Sequence, residues 1–271
     1  MKFDSNLAWK EASASIAANR DVLLALAGVF FLLPSLALGL LFPQPEPTAG
    51  MDQQAMMAQM SEYYLQIAPF AIPMTLIQAA GTLAMLTLFT DRRRPTVGEA
   101  IKAGIAGIVP YFLAQILLGL GIGLVGGTLI AVGAVTGSPV VTGLMIAIVG
   151  VLAIYLFIKT SLSAPVIAVE GERNPVAALK RSFALTKGNS VRLGVFYLLV
   201  GIAFLIVMML AMGLVGIVVA LIAGAEGALI ANTIVSAAIG AVMTLYFVGI
   251  IAAVHRQLAG PSPDVAASTF E

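Results

Sequence analysis

What most constrains this chain is the length of its uncharged stretches. No charged side chain occurs from Ala103 to Phe157, and from Leu193 to Val254 the only one is Glu226. An α-helix rises about 1.5 Å per residue, so roughly 20 apolar residues cross the hydrocarbon core of a bilayer. Each stretch is too long for one buried helix and reads as two spans joined by a turn. The turns are TGSP, Thr136 to Pro139, and GAEG, Gly224 to Gly227. Apolar runs near Val22–Phe42, with Pro34 inside, and Leu65–Thr90 bring the expected total to six. The expected fold class is all-α, a polytopic transmembrane helix bundle. Composition agrees, with 60% hydrophobic and 10% charged residues, where soluble domains carry about 25% charged.

Charge placement tests this topology independently. With six spans, all fourteen Lys and Arg fall on one side of the membrane. They occupy the N-terminal segment (Lys2, Lys10, Arg20), the second-to-third loop (Arg92, Arg93, Arg94, Lys102), the fourth-to-fifth loop (Lys159, Arg173, Lys180, Arg181, Lys187, Arg192) and the tail (Arg256). The opposite loops hold Glu46, Asp52, Glu62 and Glu226. Under the positive-inside rule the basic side is cytoplasmic, which predicts a bacterial cytoplasmic-membrane protein with both termini inside. The N-terminal segment carries both signs of charge and lacks a clear cleavage site, so it reads as retained rather than as a signal peptide. A single transmembrane domain is expected over 1–258, with a disordered cytoplasmic tail over 259–271.

Three short segments align without gaps: AWKEASASIAANR from Ala8, AIKAGIAGIVPYF from Ala100 and ALKRSFALTKGNS from Ala178. Ala-x-Lys recurs as Ala8/Lys10, Ala100/Lys102 and Ala178/Lys180. The pattern predicts three copies, over 1–90, 91–160 and 161–258, of a unit made of an interfacial amphipathic helix and a transmembrane hairpin. Such a helix lies in the headgroup layer with its cations near anionic lipid. Trp9, Lys10, Arg92, Arg93, Arg94, Lys102, Lys180, Arg181 and Lys187 are the candidate interface residues. The competing reading is that these helices only cap the bundle and fix topology.

The chain contains no cysteine and one histidine, His255, which removes disulfides, thiolate sites and multi-histidine metal centres. No span centre carries an ionisable side chain, which argues against a carboxylate proton relay. No catalytic residue, metal site or cofactor is expected. Gln78, Gln115 and Asn232 are the intramembrane polar candidates, either bonded to neighbouring helices or lining a polar cavity. Gly119, Gly123 and Gly127 form a small-xxx-small ridge, expected to pack helices within the chain or, less readily, between copies of it.

The segment SAPVIAVEGERNPVAALKRSFALTKGNSVRL, Ser163 to Leu193, resembles bacterial proteins of the glycerophosphoryl diester phosphodiesterase membrane domain family and the related YciC-like inner-membrane family. Pro165, the acid pair near Glu170, Pro175, Ser182 and Lys187-Gly188-Asn189 carry the resemblance. It implies a six-span layout and, by association, a role in envelope or lipid homeostasis. The soluble phosphodiesterase domain of some relatives has no counterpart in this chain, so the activity in the family name is not expected. The expected function is non-enzymatic binding of anionic lipid or a membrane partner at the cytoplasmic face, without nucleic acid. A homo-oligomer is a further expectation, and the alternative function is transport or export of a small or amphipathic substrate.

Overall fold

Six helices of the computed structural model are long and apolar enough to cross a bilayer, spanning Arg20–Leu41, Gln53–Thr90, Val97–Val135, Pro139–Ala168, Ser190–Gly224 and Glu226–Ala259. The structure describes residues 2–45, 50–90 and 95–260, and all regular secondary structure among them is helical. The chain is a multi-pass membrane protein with an all-α fold. Arg92, Arg93, Arg94, Glu46 and the tail from 261 onward lie outside the described residues.

Helix α1 (Ser5–Ala18) starts at Asp4, whose carboxylate accepts from the Leu7 N–H, and stops where Asn19 leaves helical geometry. Span α2 (Arg20–Leu41) follows at once. Ahead of Pro34 the helix widens into a π-turn over Gly28–Leu32, with the Leu33 N–H reaching Gly28 O. This widened turn precedes the proline, whose ring otherwise clashes with a carbonyl one turn back. Span α3 (Gln53–Thr90) contains Pro69 and Pro73. Span α4 (Val97–Val135) opens on a capping box in which Thr96 and Glu99 satisfy each other's backbone donors. Span α5 (Pro139–Thr160) leads into the short α6 (Ser163–Ala168) and then α7 (Pro175–Leu185). Asn174 caps α7 by accepting from the Val176 and Ala177 N–H groups, with Pro175 at the first helical position. Spans α8 (Ser190–Gly224) and α9 (Glu226–Ala259) are separated at Gly224, where φ is +71°. That left-handed conformation suits glycine, and it lies in the expected GAEG turn.

The three aligned segments behave alike in two respects. Asp4, Thr96 and Asn174, each four residues before the aligned alanine, all serve as side-chain N-caps. Ala8, Ala100 and Ala178 are buried, as are the small residues one turn later, Ala12, Gly104 and Ser182. One expectation fails. The second segment is not a separate surface helix but the first turns of the continuous α4, because nothing from Gly104 to Leu113 breaks the helix and Pro110 is accommodated within it.

The glycine ridge does not pack helices within the chain. Gly119, Gly123 and Gly127 are exposed, and a methyl at any of them meets nothing within 4 Å. The α4–α5 hairpin closes instead on Gly126, whose added Cβ lies 2.9 Å from Val149, and Gly133, at 3.0 Å from Met145. A seven-residue step returns within about 20° of the same helix face, whereas each four-residue step drifts by about 40°. The four-residue ridge therefore turns off the seam. Gly119 keeps the seam's heptad spacing, yet a methyl there also meets nothing within 4 Å, while Ile158 near the end of α5 meets Gly194 of α8.

The buried side chains gather at one end of the bundle, among them Leu23, Leu83, Met85, Leu162, Ile167, Leu193, Leu245 and Ile250. The α4–α5 and α8–α9 hairpins meet there through Phe157, whose ring faces Tyr197 and Phe247 at 6.3 and 6.4 Å. Away from that end their outer faces are exposed and apolar, as at Leu144, Val151, Leu205 and Leu210. In a bilayer such surface faces lipid, where it carries no hydrophobic penalty.

Candidate functional site at the base of the bundle

The converging ends of the helices form a polar base. Its hydrogen bonds join parts of the chain that are far apart in sequence. The Phe3 N–H donates to Asn189 Oδ1 (2.9 Å). Asp4 and Gln257 exchange two bonds, Asp4 N–H to Gln257 Oε1 (3.2 Å) and Gln257 Nε2 to Asp4 O (3.3 Å). Arg256 donates to Phe89 O (2.9 Å) through Nη1 and to Glu11 Oε2 (3.3 Å) through Nη2. Ser182 donates to Lys159 O (2.7 Å) and accepts from the Leu162 N–H (3.1 Å), fixing α7 beneath the end of α5. The start of α1 and the ends of α3, α5 and α9 thus lie on one side of the bundle, as the charge sorting requires.

Within this base Glu170 joins two elements. One carboxylate oxygen accepts from Arg181 Nε and the other meets His255 Nε2, both at 2.9 Å. His255 is 3% exposed, and its Nδ1 is buried without a partner among the described residues. An ionised Glu170 accepts only, so the shared proton belongs to Nε2 of the imidazole. Burial pushes the Glu170 pKa up, but the hydrogen bonds from His255 and Arg181, with the Arg181 charge, outweigh it and hold the carboxyl below its ordinary value of 4.5. A carboxyl depressed in the folded state stabilises it fully above the unfolded pKa and loses that contribution as pH falls through the folded value. Thermal unfolding of the wild type and Glu170→Gln should therefore differ most above about pH 5 and converge below it. A difference that is constant across this range would separate the role of Glu170 from its charge.

The sequence-derived interface residues sit around this base. Lys10, Lys102, Lys180, Arg181 and Lys187 are all exposed. Trp9 is stacked on Tyr246 of α9 with centroids 5.9 Å apart, yet keeps nearly half its surface free. The α7 face that packs inward carries Ala178, Ser182 and Leu185, leaving Val176 outward among the cations. The intramembrane amides do not come together. Gln115 donates to Tyr111 on its own helix (2.8 Å), Asn232 covers Gly216 across the α8–α9 hairpin, and Gln78 is half-buried on α3. Two cavities at the base, of about 370 and 350 Å³, are lined by other residues: the first by Asn19, Val22, Leu23, Leu88 and Phe89 among others, the second by Glu11, Ser15 and Arg256 among others. No cluster of three or more potential metal ligands occurs among the described residues.

No protein family, curated protein or solved structure matches this chain.

The Glu170–His255 pair escaped sequence reasoning because its members are 85 positions apart. His255, as the only histidine of the chain, suggested no metal centre. The available signal was a lone histidine at one span end and a carboxylate just beyond another.

Proposed function

We propose that this is a non-enzymatic protein of the bacterial cytoplasmic membrane whose basic face, on the cytoplasmic side, binds anionic lipid or a membrane partner. The observation that carries the reading is the coincidence of the folded base with the basic residues. The helix ends that are tied together are the ones that bear Lys10, Lys102, Lys180 and Lys187, while the far ends carry Asp52 and Glu226. Each cation at an anionic surface contributes about 1 kcal/mol, so the set favours a negatively charged leaflet strongly. The shared caps and buried small residues support a three-unit organisation, with the second helix fused to its span. The resemblance of the α6–α7 region to the phosphodiesterase membrane-domain and YciC-like families supports a role in envelope or lipid homeostasis. A transport reading requires Gln78, Gln115 and Asn232 to line one path, and their separation favours the lipid reading.

Mass spectrometry of lipids retained by the purified protein tests this. The wild type should be enriched in anionic over zwitterionic lipid. The Lys180→Gln/Lys187→Gln double variant should lose about tenfold or more of that preference, since two cations contribute roughly 2 kcal/mol. Equal retention of both lipid classes by the wild type would remove the basis of the proposal.

A further inference from the structure

Lys159, at the last turn of α5, differs from the other cations of the base. It is 7% exposed, whereas Lys10, Lys102, Lys180 and Lys187 are open to solvent. Its ammonium lies 5.8 Å from the Tyr155 ring centroid and 5.9 Å from that of Phe183. Among the described residues it has neither a carboxylate partner nor a hydrogen-bond acceptor for Nζ. An ammonium carries three N–H donors, and two ring faces answer its charge without supplying an oxygen acceptor. Nζ itself is not sealed from the surface, so an acceptor from outside the chain can reach it and complete the set.

The surroundings indicate what that group is. Tyr155 and Phe183 come from α5 and α7, which Ser182 locks together through the Lys159 carbonyl and the Leu162 N–H. The box is therefore set by a buried hydrogen-bonded joint. Tyr155 is about half exposed on the outside of α5, so the box borders the surface that faces lipid. Lys180 lies one turn before Phe183 on the same side of α7 and adds a second positive charge. At the level where a span ends, the oxygen anions that approach from the bilayer are phosphodiesters of lipid headgroups.

We propose that Lys159, boxed by Tyr155 and Phe183, is the phosphate-binding residue of an anionic phospholipid site between α5 and α7. This rests on the lipid reading and narrows it from a diffuse basic surface to one built site. The group bound is a phosphate oxyanion, and a lipid headgroup and free phosphate are its two possible sources.

Native mass spectrometry of the full-length protein, titrated with phosphatidylglycerol, phosphatidylcholine and inorganic phosphate, tests the site. Lys159→Met keeps the apolar stem and removes the charge. It should weaken phosphatidylglycerol binding about tenfold, the scale of one charge-assisted hydrogen bond. Lys159→Arg should stay within about threefold of the wild type, since it keeps a cation able to bond phosphate. Glu226→Gln, which changes an exposed charge at the far end of the bundle, should have no effect. Competition by millimolar inorganic phosphate would assign the site to free phosphate, and its absence assigns it to lipid. Unchanged phosphatidylglycerol binding by Lys159→Met, with a lowered unfolding temperature, would reduce Lys159 to an aromatic-held anchor and overturn the inference. If Lys159→Met does not fold, Phe183→Leu opens the box while keeping the charge, and wild-type binding by that variant would overturn the inference equally. A wild type that does not distinguish phosphatidylglycerol from phosphatidylcholine would defeat the lipid reading itself, whereas a preference that Lys159→Met retains defeats only the site.

Discussion

Gly104→Leu is expected to prevent formation of the stable bundle. Gly104 lies on α4 where that helix crosses α3, and a Cβ added there would stand 2.5 Å from Ala80 O and 2.9 Å from Ala84 N. Both are backbone atoms of a buried helix, so neither can swing aside as a side chain would. Relief requires α3 and α4 to separate, which would expose Leu83 and Leu86 at the centre of the core. Overpacking costs about 1–3 kcal/mol where side chains can adjust. Against unyielding backbone we expect about 3 kcal/mol or more, a large share of the roughly 5–15 kcal/mol that holds a typical domain together. Size-exclusion chromatography in detergent should show little monodisperse protein, and whatever folds should melt well below the wild type. Gly119→Ala is the matched comparison. It meets open space, and alanine's helix propensity should leave stability equal or raised by up to about 1 kcal/mol. Wild-type behaviour by Gly104→Leu would mean that α3 and α4 do not approach as described.

The second large effect is expected for Ser182→Val. Ser182 is fully buried, and its hydroxyl both donates to Lys159 O and accepts from the Leu162 N–H. Valine fills the hydroxyl's position, adds one methyl and satisfies neither group, and it has the same shape as threonine. The Leu162 N–H precedes α6 and has no helical partner there, so it would be stranded in the core. An orphaned buried donor costs about 1–3 kcal/mol, and losing the bond at the α5 carbonyl brings the expected total to roughly 2–4 kcal/mol. Ser182→Thr, which keeps the hydroxyl, should recover part of this. Thermal unfolding of the three proteins in the same detergent is the measurement. Equal midpoints for the valine and threonine variants would show that volume, and not the two hydrogen bonds, governs the site.

The six spans were legible in the sequence because run length is a one-dimensional property, and lipid imposes it on each helix separately. The same holds for the reversal in the GAEG turn at Gly224, where a local residue satisfies a local backbone need. What depended on three dimensions was less legible. The Gly119 ridge fits a small-xxx-small pattern, but the partner helix lies along the Gly126–Gly133 line, and only the packing of α5 decides between them. The joints of the base pair Phe3 with Asn189, Glu11 with Arg256 and Glu170 with His255 across most of the chain, and no periodicity records such contacts. Lys159 reads in sequence as an ordinary basic residue at a span end, and its burial appears only once α7 folds over it.

The account depends above all on one membrane face holding every basic segment. The chain has no cysteine, so single cysteines report sidedness without background. Asp52→Cys and Thr136→Cys should react with a membrane-impermeant maleimide in intact cells, whereas Gly98→Cys and Lys187→Cys should react only after the membrane is opened. Labelling of Thr136→Cys and Lys187→Cys from the same side would contradict the six-span arrangement and the basic face inferred from it.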